Sequence, residues 1–382
     1  KDDADAHLDC GNDSSLDIEG AITVEQWVKP NSFTYYPIFM RKPSDLYRIG
    51  LRGTNPTENL GDGRVYWRIK IGGVAKAKSG AIYIPSNEWS HVVGTYDGEY
   101  MRLYINGVLD GAPYAVTGDI DVSTYDLIVG AYNLSGNYTF DGDMDEVKLY
   151  NYALTSHQVA QAYNNGKPIA HWTFNEGEGD VVKNKINNTY HGDIVNATYV
   201  SGKSDTALNF DGDGDYIDFD NTEDDTFYPT TTYESVTIAT WMKLNTASQE
   251  SAVVGRFDSV GSNHWYNYGS GIKYVNGAVK VMGMSNANNP LLSYDLTDTS
   301  SWHHVVAIVN TTDGKLYVDG ILRDSGDLSS NGGYDFAIGA QTNAGTSFYF
   351  DGQLDEVKIW NYGLSPLDVQ NDYNLGKGVF FK

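Results

Sequence analysis

Residues 141–167 read DGDMDEVKLYNYALTSHQVAQAYNNGK, and residues 351–377 read DGQLDEVKIWNYGLSPLDVQNDYNLGK. The two stretches align without a gap at a shift of 351 − 141 = 210 positions, and 14 of the 27 aligned residues are identical. An internal match of this length indicates two copies of one domain. Any function assigned to one copy therefore has to be tested against the other.

The match extends upstream of this segment. Residues 89–93 (WSHVV) correspond to 302–306 (WHHVV), and 103–107 (LYING) correspond to 316–320 (LYVDG), both at a shift of 213. Residues 22–29 (ITVEQWVK) correspond to 236–243 (VTIATWMK) at a shift of 214. Such a small drift is typical of insertions in surface loops. We predict two tandem domains, 1–166 and 167–382.

The composition excludes several classes of function. With a net charge of −24 and a pI near 4.5, the chain lacks the basic face that nucleic acids and anionic membranes require. A hydrophobic content of 41% is enough for large cores, so disorder is not expected. The single cysteine, Cys10, excludes an intrachain disulfide. No transmembrane run is visible, so membrane insertion is not expected.

The secondary-structure pattern is all-β. Short alternating strands such as 65–71 end at glycine-rich turns, here Gly72-Gly73. Asn106-Gly107 and Asp319-Gly320 are strong hairpin signals at matching places in the two copies. One short helix follows each DEVK segment, at 156–165 and at 366–374, and Ser365 is the expected N-cap of the second. We therefore expect two β-sandwiches, each ending in a short helix.

The two copies differ at their starts. The second begins with 169–179 (IAHWTFNEGEG) and 207–212 (ALNFDG), whereas the first begins at about the position that follows Gly212. The first domain is therefore expected to lack an N-terminal edge strand and its partner. Two explanations are open: the start of the chain has been cut, or another chain or an upstream peptide supplies the strand by complementation.

These motifs resemble the laminin-G-like jelly rolls of the concanavalin A-like lectin/glucanase superfamily. The resemblance is carried by 171–176 (HWTFNE), 207–212 (ALNFDG), Trp241, 302–306 (WHHVV) and 350–359 (FDGQLDEVKI), and by their first-copy counterparts. It covers almost the whole chain and implies two curved antiparallel sheets in each domain. It is weak evidence for activity, because this fold hosts lectins, adhesion modules and glycosidases.

The resemblance also implies a structural calcium ion. The family's aspartate matches Asp355 in the second copy and Asp145 in the first, and Asp211 and Asp213 in the sequence DGDGD would add oxygen ligands. The alternative is that these Asp-Gly pairs only form turns. Calcium is expected more in the second domain than in the first, whose partner turn is missing.

Catalysis is not expected. Laminarinase-like relatives place carboxylates alternately along one strand, and the nearest match, 176–180 (EGEGD), is a glycine-rich loop. His91 and His304 lie beside tryptophans without a serine or cysteine nucleophile, and we interpret them as half-buried strand residues. Trp27, Trp241, Trp89 and Trp302 are shared by both copies, which favours the core over a binding site.

Ligand contacts are expected in loops that diverge between the copies. The candidates are Tyr35 and Tyr36 in the first copy, and Trp265, Tyr266 and Tyr268 in the second. A loop patch that merely covers the sheet is the alternative. We interpret the chain as a noncatalytic extracellular or cell-surface adhesion protein that recognises a glycan or a protein. A structural subunit of a surface layer or filament, self-associating through the open first domain, is the second hypothesis, and a glycoside hydrolase is the third.

Overall fold

The computed structural model describes residues 6–33, 38–44, 46–51, 63–132, 139–187, 189–219, 235–257, 269–282, 292–310, 313–328, 336–341 and 348–374. The chain divides into two compact units, Lys1–Gly166 and Lys167–Lys382. Each unit consists of two antiparallel sheets and a short helix. The prediction of two tandem all-β sandwiches, each ending in a helix, is confirmed.

The first unit contains twelve described strands and one α-helix. They are β1 (Leu8–Asp9), β2 (Ile22–Pro30), β3 (Ile38–Lys42), β4 (Tyr47–Leu51), β5 (Arg64–Ile71), β6 (Val74–Tyr83), β7 (Ser90–Tyr96), β8 (Tyr100–Ile105), β9 (Val108–Leu109), β10 (Tyr114–Ala115), β11 (Ile128–Val129), β12 (Gly142–Tyr150) and α1 (Ser156–Tyr163). One sheet has the order β1-β11-β3-β4-β5-β6, and the other has the order β10-β8-β7-β2-β12, with β9 on β8.

The second unit contains sixteen described strands and one α-helix. They are β13 (Ala170–Trp172), β14 (Val181–Val182), β15 (Gly192–Val195), β16 (Thr198–Ser201), β17 (Thr206–Asp211), β18 (Tyr216–Asp218), β19 (Ser235–Leu244), β20 (Glu250–Phe257), β21 (Gly269–Val275), β22 (Ala278–Met282), β23 (Leu292–Asp295), β24 (His303–Asn310), β25 (Gly314–Val318), β26 (Ile321–Gly326), β27 (Phe336–Ile338), β28 (Asp351–Trp360) and α2 (Pro366–Tyr373). The sheet orders are β16-β17-β28-β19-β24-β25-β26, with β13 also on β28, and β14-β15-β18-β27-β20-β21-β22-β23.

The cores follow from strand alternation. In β24, Val305, Ala307 and Val309 point into the space between the two sheets and are fully buried. Val93 of β7 points to the opposite face of its sheet and packs under α1 against Val159. Strand β7 therefore buries both of its faces, one in the sandwich and one below the helix.

The turns are formed as the sequence predicts. Asn106 and Gly107 have φ of 50° and 80°, and Asp319 and Gly320 have φ of 54° and 74°. Two consecutive positive φ values define the tight hairpin turn that Asn-Gly and Asp-Gly favour. Helix α2 begins after Ser365, whose hydroxyl accepts the N–H of Asp368. The predicted hairpins and N-cap are therefore present.

The two units differ beside the DEVK strand. In the second unit, β28 pairs with β19 on one side and with β17 and β13 on the other. In the first unit, β12 pairs with β2 and is the last strand of its sheet in the described residues. Both strands carry a β-bulge, at which Glu146 and Glu356 have positive φ of 49° and 52°. The bulge is common to the copies, whereas the flanking strands are not.

Candidate functional site

Asp355 lies in β28 at the position for which the family resemblance implies a calcium ligand. Its side chain is 0% exposed. Oδ2 accepts a hydrogen bond of 2.9 Å from the backbone N–H of Ser204. Oδ1 has no hydrogen-bond partner in the part of the chain that the structure describes. Because a buried carboxylate oxygen without a partner is costly, this position is suited to a further ligand.

The turn between β16 and β17 brings main-chain atoms against Asp355. A Cβ added to Gly202 would lie 2.8 Å from Asp355 Oδ2 and 2.7 Å from the carbonyl carbon of Thr206, so this close approach requires glycine. Thr206 donates its N–H to Asn175 Oδ1 at 3.0 Å and its hydroxyl to the carbonyl of Phe174. Three segments that are distant in sequence therefore meet near Asp355.

The carboxyl group of Asp355 has a perturbed pKa. Burial raises the pKa of Asp355 to about 7, and the charge of Glu356 acts in the same direction, although the main-chain N–H groups of Ser204, Glu356 and Lys203 lower it. A cation beside Oδ1 would favour the charged carboxylate. No group of three or more His, Cys, Asp or Glu capable of holding a metal occurs in the described residues. The other ligands would be main-chain carbonyl and water oxygens, which Ca²⁺ accepts.

Asp145, the corresponding residue of β12, has different surroundings. It is exposed, and its Oδ1 accepts the N–H of Glu146 at 2.8 Å. Within the described residues, no strand pair equivalent to β16 and β17 lies beside β12. Among the described residues, the packing of a turn such as 202–206 against the DEVK aspartate is therefore found in the second unit.

Asp211 and Asp213 stabilise a turn at some distance from Asp355. Asp211 pairs with Asp351 across β17 and β28, four residues from Asp355 and thus about 13 Å along an extended strand. The N–H of Asp213 donates to Asp211 Oδ1 at 2.9 Å, and the N–H of Asp211 donates to Asp215 Oδ2 at 2.9 Å. The structure therefore does not bring Asp211 and Asp213 to Asp355.

Glu176, the nearest candidate for a catalytic carboxylate, also has a local structural role. It lies between β13 and β14, and its Oε1 accepts the N–H of Lys183 at 3.1 Å. Gly177 and Gly179 have φ of 72° and 88°, as expected for a glycine-rich loop. The carboxylate thus closes the loop onto β14.

An aromatic cluster lies under the helix in each unit. In the first, the ring centroids of Trp27 and His91 are 5.1 Å apart, and Tyr163 stacks on Trp27 at 5.6 Å. In the second, the corresponding distances from Trp241 to His304 and Tyr373 are 5.2 and 5.5 Å. His91 and His304 are 0% and 1% exposed, so they are fully buried rather than half-buried, because the helices cover this face of the sheet.

The carboxylate that accompanies each histidine comes from a different element. In the first unit it is Glu25 of β2, which bonds His91 Nε2 at 3.4 Å, Lys148 Nζ at 3.1 Å and the Tyr150 hydroxyl at 2.9 Å. Although burial alone would raise the pKa of Glu25, these hydrogen bonds lower it to about 2.

In the second unit the carboxylate is Asp372 of α2, which bonds His304 Nε2 at 3.0 Å and Lys358 Nζ at 2.7 Å. The second unit has Ala239 where the first has Glu25, and the first has Ala162 where the second has Asp372. Each copy therefore has a buried cluster of histidine, carboxylate and lysine, in which the carboxylate comes from a different element.

The other aromatic residues singled out in the sequence differ in their exposure to solvent. Trp241 is 3% exposed, but Trp89 is 44% exposed and therefore does not belong to the core. Tyr35, Tyr36, Trp265, Tyr266 and Tyr268 lie outside the described residues. Gly202, Ser204 and Thr206 were not predicted from the sequence, because their only signal is a glycine in a short polar turn between two strands.

Comparison with protein families gives two matches in this chain. Residues 2–160 and 211–370 each match the Laminin_G_3 model, which describes a family of the concanavalin A-like lectin/glucanases superfamily. One match lies in each unit. No curated protein sequence matches the chain significantly. No helix among the described residues is both long and apolar enough to cross a membrane.

Several solved structures are similar to this chain at low identity. Domains LG4-5 of the mouse laminin α1 chain share 14% identity over 95% of this chain and 89% of that one, with a TM-score of 0.30. Domain 4 of the extracellular GH43 arabinanase AbnA from Geobacillus stearothermophilus, solved with arabinotriose, shares 21% identity over 54% of this chain and 97% of that one, with a TM-score of 0.37. The botulinum neurotoxin serotype D binding domain shares 16% identity over 56% of this chain and 52% of that one, with a TM-score of 0.42.

Proposed function

Because the chain belongs to the Laminin_G_3 family of the concanavalin A-like lectin/glucanases superfamily, we propose that it is a noncatalytic binding protein. It would act outside the cell or at the cell surface and recognise a glycan or a protein. The superfamily includes both lectins and glucanases, so the choice between them depends on the acidic residues of this chain.

The observation that carries the proposal is the use of those acidic residues. Glycoside hydrolysis requires two carboxyl groups that flank the bond to be cleaved. Glu176 Oε1 accepts a main-chain N–H in its loop, and Asp355 Oδ2 accepts one from the turn at Ser204. Glu25 and Asp372 each form an ion pair with a lysine beneath a helix. The carboxylates with defined contacts therefore support turns and clusters, which favours binding without catalysis.

A glycan array and a panel of candidate surface proteins test this proposal with the full chain. We expect a saturable interaction, with the bound glycan recovered intact. Release of shorter sugars from a glycan on prolonged incubation, abolished by Glu176→Gln, would contradict it. Glu178→Gln, in the same loop at an exposed position, is the control.

We further propose that the second unit binds one Ca²⁺ at Asp355. The support is the partnerless buried Oδ1, together with the approach of the 202–206 turn that only glycine at position 202 allows. The ion would fix β28 against this turn, and the ligands from this chain would be Asp355 and main-chain carbonyl oxygens of the turn. The exposed Asp145 gives less support for an ion in the first unit.

Thermal unfolding in Ca²⁺ and in chelator tests the calcium proposal. A ligand that binds only the native state stabilises it by about 2.7 kcal/mol at a hundred times its Kd. The transition of the second unit should therefore move to higher temperature with Ca²⁺, and Asp355→Asn should remove the difference. Asp145→Asn is the matched control. An identical melting temperature with and without the ion would exclude the site.

A second candidate function is a structural subunit, and the open edge of β12 favours it. Strand β28 is covered by β13 and β17, and the equivalent side of β12 is covered by no described strand. An exposed edge with free N–H and C=O groups accepts strands from other chains. We would then expect the chain to assemble through this edge.

Light scattering over a range of protein concentrations tests this second candidate. Growth in mass with concentration, reversed by a peptide that copies β17 (TALNFD), would support assembly through β12. The control peptide replaces the residue equivalent to Phe210 by aspartate, because Phe210 is fully buried in the core of the second unit. A constant monomer mass would rule out this function.

A further inference from the structure

A tryptophan and an aspartate are cross-strand partners beside the bulge of the DEVK strand in both units. Trp27 of β2 is directly opposite Asp145 of β12, and Trp241 of β19 is directly opposite Asp355 of β28. The exposure of the two pairs differs. Trp241 and Asp355 are buried, whereas Trp27 is half-buried and Asp145 is exposed. The first unit therefore leaves open to solvent a pair that the second unit covers.

In the second unit, a lysine-bearing turn covers this pair. Lys203 Nζ lies 4.0 Å from the ring centroid of Trp241, which is a cation–π contact. The main-chain N–H of the next residue, Ser204, donates to Asp355 Oδ2 at 2.9 Å. In the described part of the first unit, no lysine or arginine lies over Trp27 in this way. The second unit thus shows which chemistry the pair accepts.

The strand that follows this turn completes the core beside β28. Leu208 and Phe210 of β17 pair with residues 352–354 of β28 and are fully buried. Leu354, the cross-strand partner of Leu208, is 0% exposed. Met144 occupies the place of Leu354 in the first unit and is only partly buried against the core. The first unit therefore has room for apolar side chains at this edge.

The bulge residues themselves are retained in the first unit but are exposed there. Asp145 is exposed, the side chain of Glu146 is 60% exposed, and Val147 is 36% exposed. Their counterparts at 355–357 are all buried. Glu146 forms an ion pair with Lys148 at 3.1 Å, so its charge is partly compensated, and Asp145 supplies most of the negative charge beside Trp27.

We propose that the β12 acceptor edge, defined as Trp27, Met144, Asp145, Glu146 and Val147, binds an extended segment of a protein partner in which a lysine or arginine precedes alternating apolar residues. The inference rests on the open β12 edge of the second candidate function and names the chemistry of the strand that this edge accepts. The cation stacks on Trp27 beside Asp145, and the main chain pairs with β12. Strand addition of this kind takes its affinity from main-chain hydrogen bonds and its specificity from side-chain contacts.

Charge complementarity favours a basic segment over other occupants. The chain has a net charge of −24, so an acidic strand is repelled and a basic one is attracted. Strand β12 cannot pair well with its own copy, because Asp143, Asp145 and Glu146 would meet the same residues of the neighbour, and like charges opposite one another destabilise a sheet. The occupant is therefore a different segment from β12.

Fluorescence anisotropy of a labelled peptide, titrated with the full chain, tests the proposal. The peptide GKSDTALNFD copies residues 202–211, which cover the corresponding edge of the second unit. We expect saturable binding and slower hydrogen exchange of β12 amides in the complex. Acetylation of the peptide's lysine side chain should weaken binding about tenfold, because it removes the cation–π partner. A scrambled peptide of the same composition should not bind.

Variants of the chain locate the peptide. Asp145→Lys should weaken binding at least tenfold and should leave the circular dichroism spectrum unchanged, because Asp145 is exposed. Glu99→Lys is the matched control, since it makes the same change of charge at an exposed position between β7 and β8. This variant should bind like the wild type. Trp27→Leu should bind the free and the acetylated peptide equally well, which shows that the lysine acts through this ring.

Four results would overturn the inference. They are no saturable binding of the peptide, equal affinity of the wild type for the free and the acetylated peptide, unchanged affinity of Asp145→Lys, and protection of β12 amides by a glycan but not by the peptide. Light scattering decides the second candidate function separately. A chain that binds the peptide but stays monomeric loses that function and keeps this inference, and a chain that assembles without binding the peptide does the reverse.

Discussion

Removal of the Asp372 carboxylate is the most informative perturbation of the second unit. Asp372 bonds both His304 and Lys358, and its side chain is only 12% exposed. Asp372→Ala introduces the residue that the first copy has at this place, Ala162. It leaves Lys358, whose side chain is 10% exposed, with Glu356 as its only other ion-pair partner in the described residues. We expect the second unit to become markedly less stable.

The magnitude follows from the pKa of the carboxyl group. Although burial alone would raise it, the hydrogen bonds and charges of His304 and Lys358 lower the pKa of Asp372 from 3.8 to about 2. A difference of about 1.8 units corresponds to about 2.5 kcal/mol. Because the folded-state pKa is the lower one, this contribution is present above pH about 4 and is lost as the pH falls toward about 2. Breaking a buried pair costs about 3–5 kcal/mol, so we expect a loss of about 2–4 kcal/mol at pH 7.

The first copy indicates how the loss can be reversed. Glu25 is opposite Lys148 and Val93, and Ala239 is opposite Lys358 and Val306 at the same places in the sheet. Adding Ala239→Glu to the Asp372→Ala background should therefore return a carboxylate to Lys358 and His304. Trp360 occupies the position of Tyr150, whose hydroxyl bonds Glu25 in the first unit. The Nε1 of Trp360 has no hydrogen-bond partner in the described residues. We expect at least half of the lost stability to be recovered.

Hydrogen exchange of peptides from β24 and β28 reports the stability of the second unit within the intact chain. Gln370→Ala is the matched control, since Gln370 is an exposed residue of the same helix. A loss below about 0.5 kcal/mol for Asp372→Ala, the range of ordinary surface substitutions, would refute the reasoning. So would a double variant that is no more stable than the single one.

Three further predictions concern the first unit. Glu25 should stabilise the first unit at neutral pH and lose this effect as the pH falls from about 4.5 toward its lowered pKa of about 2. Hydrogen exchange of β2 and β7 peptides at pH 3 and 6 measures this, and the stability of Glu25→Gln should depend less on pH than that of the wild type. Gly94→Ala should lower the free energy of unfolding by about 1–3 kcal/mol through overpacking, because the added Cβ would lie 2.7 Å from Trp67. Gly20→Ala is the control, because its added Cβ meets nothing within 4 Å. Equal melting temperatures of the two variants would contradict the prediction. Thr155→Ala should lower the stability of α1 by about 1 kcal/mol, because Thr155 forms the capping box of this helix with Gln158. Hydrogen exchange of α1 amides that is as slow as in the wild type would show that the cap is dispensable.

Much of the fold was predictable from local signals. Asn106-Gly107 and Asp319-Gly320 allow few backbone conformations other than a tight hairpin turn. The repeated DEVK segment identified the second copy, and the alternation of apolar residues in segments such as 65–71 gave the strands. These features depend on neighbours in sequence, and for that reason a single sequence was enough to recognise them.

The candidate sites were less predictable because they depend on long-range contacts. The burial of His91 and His304 results from helices that follow more than 50 residues later in the chain. The turn at 202–206, about 150 residues earlier in the chain, packs against Asp355. Asp211 looked equally suitable as a metal ligand from the sequence, but it pairs with Asp351 instead.

The central claim is that this chain binds its partner without cleaving it, and the most direct test is titration of the full chain with a panel of acidic and neutral glycans, followed by product analysis of the same samples. The account predicts saturable heat with at least one glycan of the panel and quantitative recovery of the intact sugar. Shortened sugars formed in proportion to time and protein concentration would contradict it.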